Sequence, residues 1–308
     1  MRVVITECDH DAFVEEQAVA AANGVDLVIT QSRTRAELIA NATGADGILV
    51  QYARIDGEVL DALPGLKVVG RYGVGLDNID LDAAAERGIP VRNVPDYGTE
   101  AVSDHAIGLA LAVARGITTL DRGLRAGRFD LPRVRPLYQI RGRIFGVIGL
   151  GRIGTATAHK AAGLGYRVIG TDIAAEPGAL WHGIPVVSLD ELLSQSQVVS
   201  LHTPLDASTR HLLDADRLAQ MRPDAIVVNT SRGGVIDTEA LVAALRVGKL
   251  AGAGIDVHES EPLPSDHPLT TLDNVVLTPH LAWYTEESYG ELKRRTMQNV
   301  VDVLKGER

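Results

Sequence analysis

The run Gly149-Leu150-Gly151-Arg152-Ile153-Gly154 limits what this chain can fold into more than any other feature. A short apolar stretch, residues 144–148, precedes it, and a helix-like stretch, residues 156–164, follows it. The spacing is G-x-G-x-x-G between a strand and a helix. Each glycine has a physical task there. Gly149 allows the tight turn, Gly151 lets backbone approach a pyrophosphate, and Gly154 lets the helix pack on the strand. The first N–H groups of the helix then face the phosphates, with Arg152 and Ile153 beside them. A second strand-like run, residues 166–171, leads to Asp172, 23 residues beyond Gly149. A carboxylate there accepts hydrogen bonds from ribose hydroxyls and repels a 2′-phosphate. The expected cofactor is therefore NAD rather than NADP.

A length of 308 residues allows two domains of roughly 100–200 residues each. No apolar run approaches the ~18 residues of a membrane span. The start, Met1-Arg2-Val3-Val4-Ile5-Thr6, meets Glu7 and Asp9 too soon to read as a signal peptide. The single cysteine, Cys8, excludes an internal disulfide and a cysteine metal cluster. The expectation is a cytoplasmic protein with no metal and no membrane contact. A net charge of −10 opposes nucleic-acid binding, which needs a basic face. It also means that anionic ligands must be met locally, by backbone N–H groups and a few placed arginines.

Two alternating series run along the chain. Strand-like stretches at 3–6, 25–30, 47–51, 67–70 and 90–94 are separated by helical patterns such as 12–22 and 34–42. Thr34, with Glu37 three residues on, is a capping-box pattern. One long helical pattern covers 99–114, and Arg/Gly-rich sequence continues to Gly142. Strand-like pieces then recur at 144–149, 166–171, 198–201, 226–229, 253–257 and 275–278, before a last helical stretch at 286–304. Continuous apolar strands alternating with helices predict parallel sheets covered on both faces. The fold class is α/β with two doubly wound domains. The first comprises residues 1–98 plus 285–308, and the second residues 99–284.

Three segments place titratable groups just beyond a strand's carboxyl end, where ligands bind in open α/β sheets. They are Asn229-Thr230-Ser231-Arg232-Gly233-Gly234, Asp256-Val257-His258-Glu259-Ser260-Glu261-Pro262 and Thr278-Pro279-His280. Reducing a keto acid needs a fixed cation for carboxylate and carbonyl, which Arg232 can supply as a planar fork of donors. It needs a proton donor for the developing alkoxide, the part His280 suits near neutral pH. It needs a carboxylate to orient that histidine and favour its cation, the part Glu261 suits. Singly, each residue reads as an ion pair, an element end or a turn. Their joint occurrence after a nucleotide fingerprint carries the functional reading.

These motifs, with Gly70-Arg71-Tyr72-Gly73-Val74-Gly75-Leu76-Asp77-Asn78-Ile79-Asp80, resemble the D-isomer-specific 2-hydroxyacid dehydrogenase family. The resemblance implies a flavodoxin-like substrate domain and a Rossmann NAD-binding domain with a cleft between them. It implies catalytic Arg232, Glu261 and His280. It implies cofactor contacts at Val74, His202, Thr203, Pro204, Thr209, Thr230, Ser231 and Asp256, the last near the nicotinamide amide. It implies substrate contacts at Arg71, Tyr72, Val74 and Gly75. The D configuration comes from the resemblance alone.

Within the family, Glu261 stands where formate-oxidising members resemble a glutamine pattern, and Val74 where phosphite-oxidising members carry lysine. The chain ends 28 residues after His280, too soon for the regulatory domain that phosphoglycerate dehydrogenases often add. Trp283, three residues after His280, resembles the C-terminal binding protein branch, where it lines the substrate pocket and favours an apolar or extended tail. That branch supplies the alternative reading, an NAD(H)-sensing dimeric binding protein resembling a co-repressor. The basic segment 128–143, with Arg133, Arg135, Arg141 and Arg143, is a candidate homodimer contact. Tyr52 and Arg54 follow a strand and are candidates for the cleft, Arg54 for a second acidic group on the substrate.

Overall fold

The computed structural model describes residues 1–129 and 134–307, so Arg133 lies outside the described residues. The chain divides into two compact units, Met1–Gly98 with Thr285–Arg308, and Thr99–Tyr284.

The first unit is built on five strands, β1 (Arg2–Glu7), β2 (Asp26–Ile29), β3 (Gly47–Val50), β4 (Val68–Arg71) and β5 (Val91–Arg92). Helices α1 (Val14–Asn23), α2 (Arg35–Ala42), α3 (Gly57–Asp61) and α4 (Leu81–Glu86) connect them. All pairings are parallel, in the order β2-β1-β3-β4-β5, which is the flavodoxin-like order. Val3, Val4, Ile5, Ile48, Leu49 and Val50 are fully buried, as both faces of such a sheet require. At α2 the Thr34 side chain accepts from Glu37 N. The Glu37 carboxylate, however, takes the N–H of Arg33, one residue before the cap. The capping box is therefore only half formed.

The second unit opens with α5 (Thr99–Ala114) and α6 (Ile117–Arg125). Then follow β6 (Ile144–Ile148), α7 (Arg152–Gly163), β7 (Arg167–Thr171), β8 (Leu180–Trp181), β9 (Ile184–Pro185) and α8 (Leu189–Gln195). The rest is β10 (Val198–Leu201), α9 (Ala215–Gln220), β11 (Ile226–Asn229), α10 (Thr238–Arg246), β12 (Gly252–Ile255) and β13 (Val275–Leu277). Six of these strands form a parallel sheet ordered β13-β12-β11-β10-β6-β7. The chain runs outward from β6 to the edge strand β7 and then returns past β6 to β10. Strand order reverses between β6 and β10, and ligands bind such sheets at the carboxyl ends beside that reversal.

Side chains alternate between two cores. Phe145, Val147, Val198, Ile226 and Val228 pack with Ala106 and Leu109 of α5 and Ala158 and Ala161 of α7. Ile148, Val199, Leu201, Val227 and Ile255 pack with Leu192 of α8, Leu218 of α9 and Leu241 of α10. Each large apolar side chain fully buried this way contributes about 1.5–3 kcal/mol, so these two layers hold the strand ends, and the loops beyond them, in place. The final helix, α11 (Glu286–Lys305), opens on a full capping box between Thr285 and Ser288. It belongs to the first unit, where it buries Leu292, Met297, Val300 and Val301, and Asn299 Nδ2 donates to Asn93 O at 3.0 Å.

Candidate active site

The turn after β6 has the strain and crowding that its glycines permit. Gly149 has φ +91°, and a Cβ there would lie 2.7 Å from His202 O. A Cβ on Gly154 would lie 1.9 Å from Gly149 O. Gly151 is the opposite case: nothing lies within 4 Å of where its Cβ would stand, so the space above it is open. Gly151 is also the N-cap of α7 and offers no side-chain cap, so the first-turn N–H groups call for another acceptor. At the end of β7, Asp172 Oδ2 accepts from Leu150 N at 2.7 Å and Oδ1 from Ala174 N at 2.9 Å. These bonds fix the carboxylate beside the glycine turn.

Just past β10 and β11, Thr203 Oγ1 and Thr230 Oγ1 are buried without a hydrogen-bond partner among the described residues. Buried orphan hydroxyls are exceptions that call for a missing partner. Open space over Gly151, an uncapped helix start and two such hydroxyls together fit a bound dinucleotide. Arg152 is exposed and Ile153 half-buried at the start of α7. Ser231 donates from N and Oγ to Asn229 Oδ1, at 3.0 and 2.8 Å. Pro204 O accepts from Thr209 Oγ1 at 2.7 Å, and Thr209 Oγ1 accepts from Asp206 N at 2.8 Å. The Thr209 hydroxyl thus organises its own loop. His202 keeps part of its surface open, and its Nε2 lies 2.8 Å from Ser200 Oγ. Burial strips hydration from its cation and pushes its pKa down to about 3.

His280 and Glu261 meet. His280 Nδ1 lies 2.8 Å from Glu261 Oε2, and since a carboxylate only accepts, the Nδ1–H donates. Glu261 Oε1 accepts from His258 N at 2.8 Å. Burial opposes ionisation of Glu261, but the bonds from His280 and His258 outweigh it and hold the carboxyl below the usual carboxylate range. His280 itself has φ +56°, left-handed for a residue with a Cβ.

What holds it there is Asp256, which is fully buried. Asp256 O accepts from His280 N at 2.7 Å. Its Oδ1 accepts from Thr278 Oγ1 at 2.6 Å and Leu281 N at 3.1 Å, and its Oδ2 from Ala282 N at 3.0 Å. Asp256, the residue expected near a nicotinamide amide, thus also shapes the His280 loop. Arg232 lies on the neighbouring loop, where Asn229 Nδ2 donates to its carbonyl at 2.9 Å. That loop abuts the Glu261 loop without a gap, since a Cβ on Gly233 would lie 2.0 Å from the His258 carbonyl carbon.

Of the expected substrate contacts, Tyr72 turns its side chain into the first unit. It is only 2 % exposed, and its hydroxyl donates to the buried Glu16 Oε1 at 3.0 Å. An aromatic ring wedged between β4 and α1 serves packing, and its hydroxyl has its partner. Arg71 ends β4, half-buried, while Val74 is exposed, Gly75 is half-buried and Val74 O accepts from Asn93 Nδ2 at 2.5 Å. Tyr52 is exposed and donates to Asp9 Oδ2 at 2.8 Å. Arg54 lies 3.8 Å from Asp56 with its side chain 79 % open. Trp283 is half-buried with its ring centroid 5.7 Å from that of Tyr284.

Sequence reasoning missed two contributors. His258 supplies the N–H that fixes Glu261. His105, on α5, lies 3.0 Å from Thr278 Oγ1 and 3.6 Å from Asp256. Only His258 had a signal, its place inside the Glu261 motif.

The sequence model for the NAD-binding domain of D-isomer specific 2-hydroxyacid dehydrogenases matches residues 107–282. A glyoxylate reductase of Thermofilum pendens is 41% identical over 293 residues, which is 92% of this chain and 86% of that protein. A D-3-phosphoglycerate dehydrogenase of Archaeoglobus fulgidus is 36% identical over 99% of this chain, which spans 58% of that protein. The crystal structure of the TT0316 protein of Thermus thermophilus superposes with TM-score 0.91 at 39% identity, over 100% of this chain and 98% of the other. The expected place beside the C-terminal binding proteins is corrected by these comparisons, whose relatives are glyoxylate reductases and D-3-phosphoglycerate dehydrogenases.

The neutral His202 ring makes folding stability depend on acid. Between its folded value of about 3 and the ordinary 6.5, the unfolded chain binds the extra proton. This contribution is full above pH 6.5 and declines below it, by up to about 1.4 kcal/mol per pH unit. Urea denaturation at pH 7.5 and pH 5 should show a smaller acid loss for His202→Asn than for the wild type. Equal losses contradict the assignment.

Proposed function

The chain belongs to the D-isomer specific 2-hydroxyacid dehydrogenase family, and from that premise we propose that it reduces small 2-keto acids to D-2-hydroxy acids with NADH. The observation that carries this reading is the 2.8 Å contact between His280 Nδ1 and Glu261 Oε2, on loops at the same sheet edge as the dinucleotide turn. The Gly149–Gly154 turn would hold NADH, with Asp172 accepting from its ribose hydroxyls, and the bound cofactor would supply the hydride. Asp172 leaves no room for a 2′-phosphate's charge, which favours NAD over NADP. Arg232 binds carboxylate and carbonyl and draws negative charge onto the oxygen. His280, its Nδ1–H committed to Glu261, donates the Nε2 proton to the developing alkoxide. Glu261, ionised well into the acid range, fixes the ring's tautomer and orientation for that transfer.

Glyoxylate, the substrate named for a relative, belongs in the substrate set. The preference for an extended tail rested on Trp283 alone, and the reductase relatives weigh against it. The same spacing is the sole support for a dimeric NAD(H)-sensing binder, so turnover is the favoured reading.

A homodimer is part of the proposal. Helix α6 exposes Ile117, Leu120 and Leu124 at 53, 39 and 64 %, spaced three and four residues apart on one face. Phe129 just beyond is fully exposed. A second copy of the chain is the occupant proposed for this stripe. Sedimentation should give a dimer for the wild type and a monomer for Leu124→Glu. A wild-type monomer at micromolar concentration refutes it.

For the chemistry, His280→Gln should lower turnover on the order of 10²–10⁴-fold with NADH affinity kept. Glu261→Gln should lower kcat by about tenfold to a hundredfold, because the carboxylate that orients the His280 ring is gone. Near-normal turnover in either variant sinks the assigned roles.

A further inference from the structure

The short loop that carries Glu261 holds a second histidine–carboxylate pair. Glu259 stands two residues before Glu261, and its Oε1 lies 2.6 Å from His211 Nε2. Its Oε2 lies 3.4 Å from Thr238 N, at the start of α10, where a helix's positive end favours an anion. One loop is therefore tied on two sides. Glu261 reaches His280, while Glu259 reaches His211 and α10.

His211 is an odd residue for its place. Its φ is +50°, a conformation in which glycine would be unstrained. Its N–H donates to Gly234 O at 2.8 Å, so its backbone is pinned to the loop that bears Arg232. Gly233 in turn lies against the His258 backbone with no room for a Cβ. Strained backbone persists where the surrounding structure enforces it and is concentrated at functional sites. The His211 side chain meets the Glu259 carboxylate, so that contact is what the strained histidine supplies and glycine would not.

We propose that Glu259 and His211 are positioning residues for the Glu261–His280 pair. They set the 258–261 loop so that Glu261 Oε1 takes His258 N and Oε2 faces His280. Neither side chain touches the reacting atoms. The proposal rests on the acid–base reading given under Proposed function.

Two variants test it. His211→Gly removes the imidazole and relieves the backbone, so the fold is kept. Glu259→Gln keeps the volume and removes the charge. Four quantities are measured: kcat and KM for a 2-keto acid, NADH affinity, Tm, and the downfield proton resonance of the His280 Nδ1–H in the resting protein. Both variants should lose about tenfold to a hundredfold in kcat, with KM and NADH affinity within about twofold of the wild type. The downfield resonance should weaken or vanish, and Tm of His211→Gly should match or exceed the wild type. Wild-type kcat with an unchanged resonance overturns the proposal. So does a kcat loss that tracks an equal loss of NADH affinity or of Tm, which marks a merely structural contact. If the wild-type protein turns over no 2-keto acid, the acid–base reading fails, and the resonance alone decides whether the positioning holds.

Discussion

A buried carboxylate governs the geometry of this site. Asp256 is wholly inside the second unit, where an unpaired charge would cost several kcal/mol. The side-chain oxygens instead accept from the Thr278 hydroxyl and two successive backbone N–H groups. Hydrogen bonds to a charged group are worth about 1.5–3 kcal/mol each. Against that stands the left-handed backbone of His280, which costs about 1–2 kcal/mol. The bonds exceed the strain, so His280 is held in a conformation it would not choose alone. The main chain extends the same logic: Asp256 N donates to Asn229 O and Asp256 O accepts from His280 N. The ladder between β11, β12 and β13 thus continues past the strand ends into the loops that bear Arg232, Glu261 and His280.

Two close approaches keep these loops in register with each other and with the cofactor turn. Gly233 meets the His258 backbone, and Gly149 meets His202 O. In both places one strand's loop lies flat on its neighbour's, and a single methyl group would force them apart. The parallel sheet makes this possible, since it gathers all its carboxyl ends at one edge. Strand order reverses between β6 and β10, and the orphan Thr203 and Thr230 hydroxyls lie just past β10 and β11 at that edge.

Much of this is legible in the chain's own pattern, and the limits have physical causes. Apolar runs bounded by glycine and polar residues place β10 and β11, and the 3.6-residue pattern places α5 at Thr99–Ala114. Strong local periodicity needs no tertiary knowledge. Helix α6 is missed in the sequence reading, because the arginines and glycines around Ile117, Leu120 and Leu124 mask their stripe. The meeting of His280 with Glu261 follows from motif order. The inward use of Asp256 and the burial of Tyr72 do not, because a side chain's direction depends on neighbours distant in sequence. Tyr72 is the plain case: its partner, Glu16, is 56 positions away. His105 is another, a helix residue whose neighbour Thr278 is 173 positions away.

In the proposed reaction the second unit delivers a proton opposite a hydride, with Asp256 as its fixed point and Glu261 as its orienting anion. NADH oxidation with a series of 2-keto acids, from glyoxylate and pyruvate to longer tails, tests this most directly when joined to chiral analysis of the pyruvate product. The expected result is NADH-dependent reduction with the D enantiomer as product. An L product, or no oxidation of NADH with any member of the series, contradicts it.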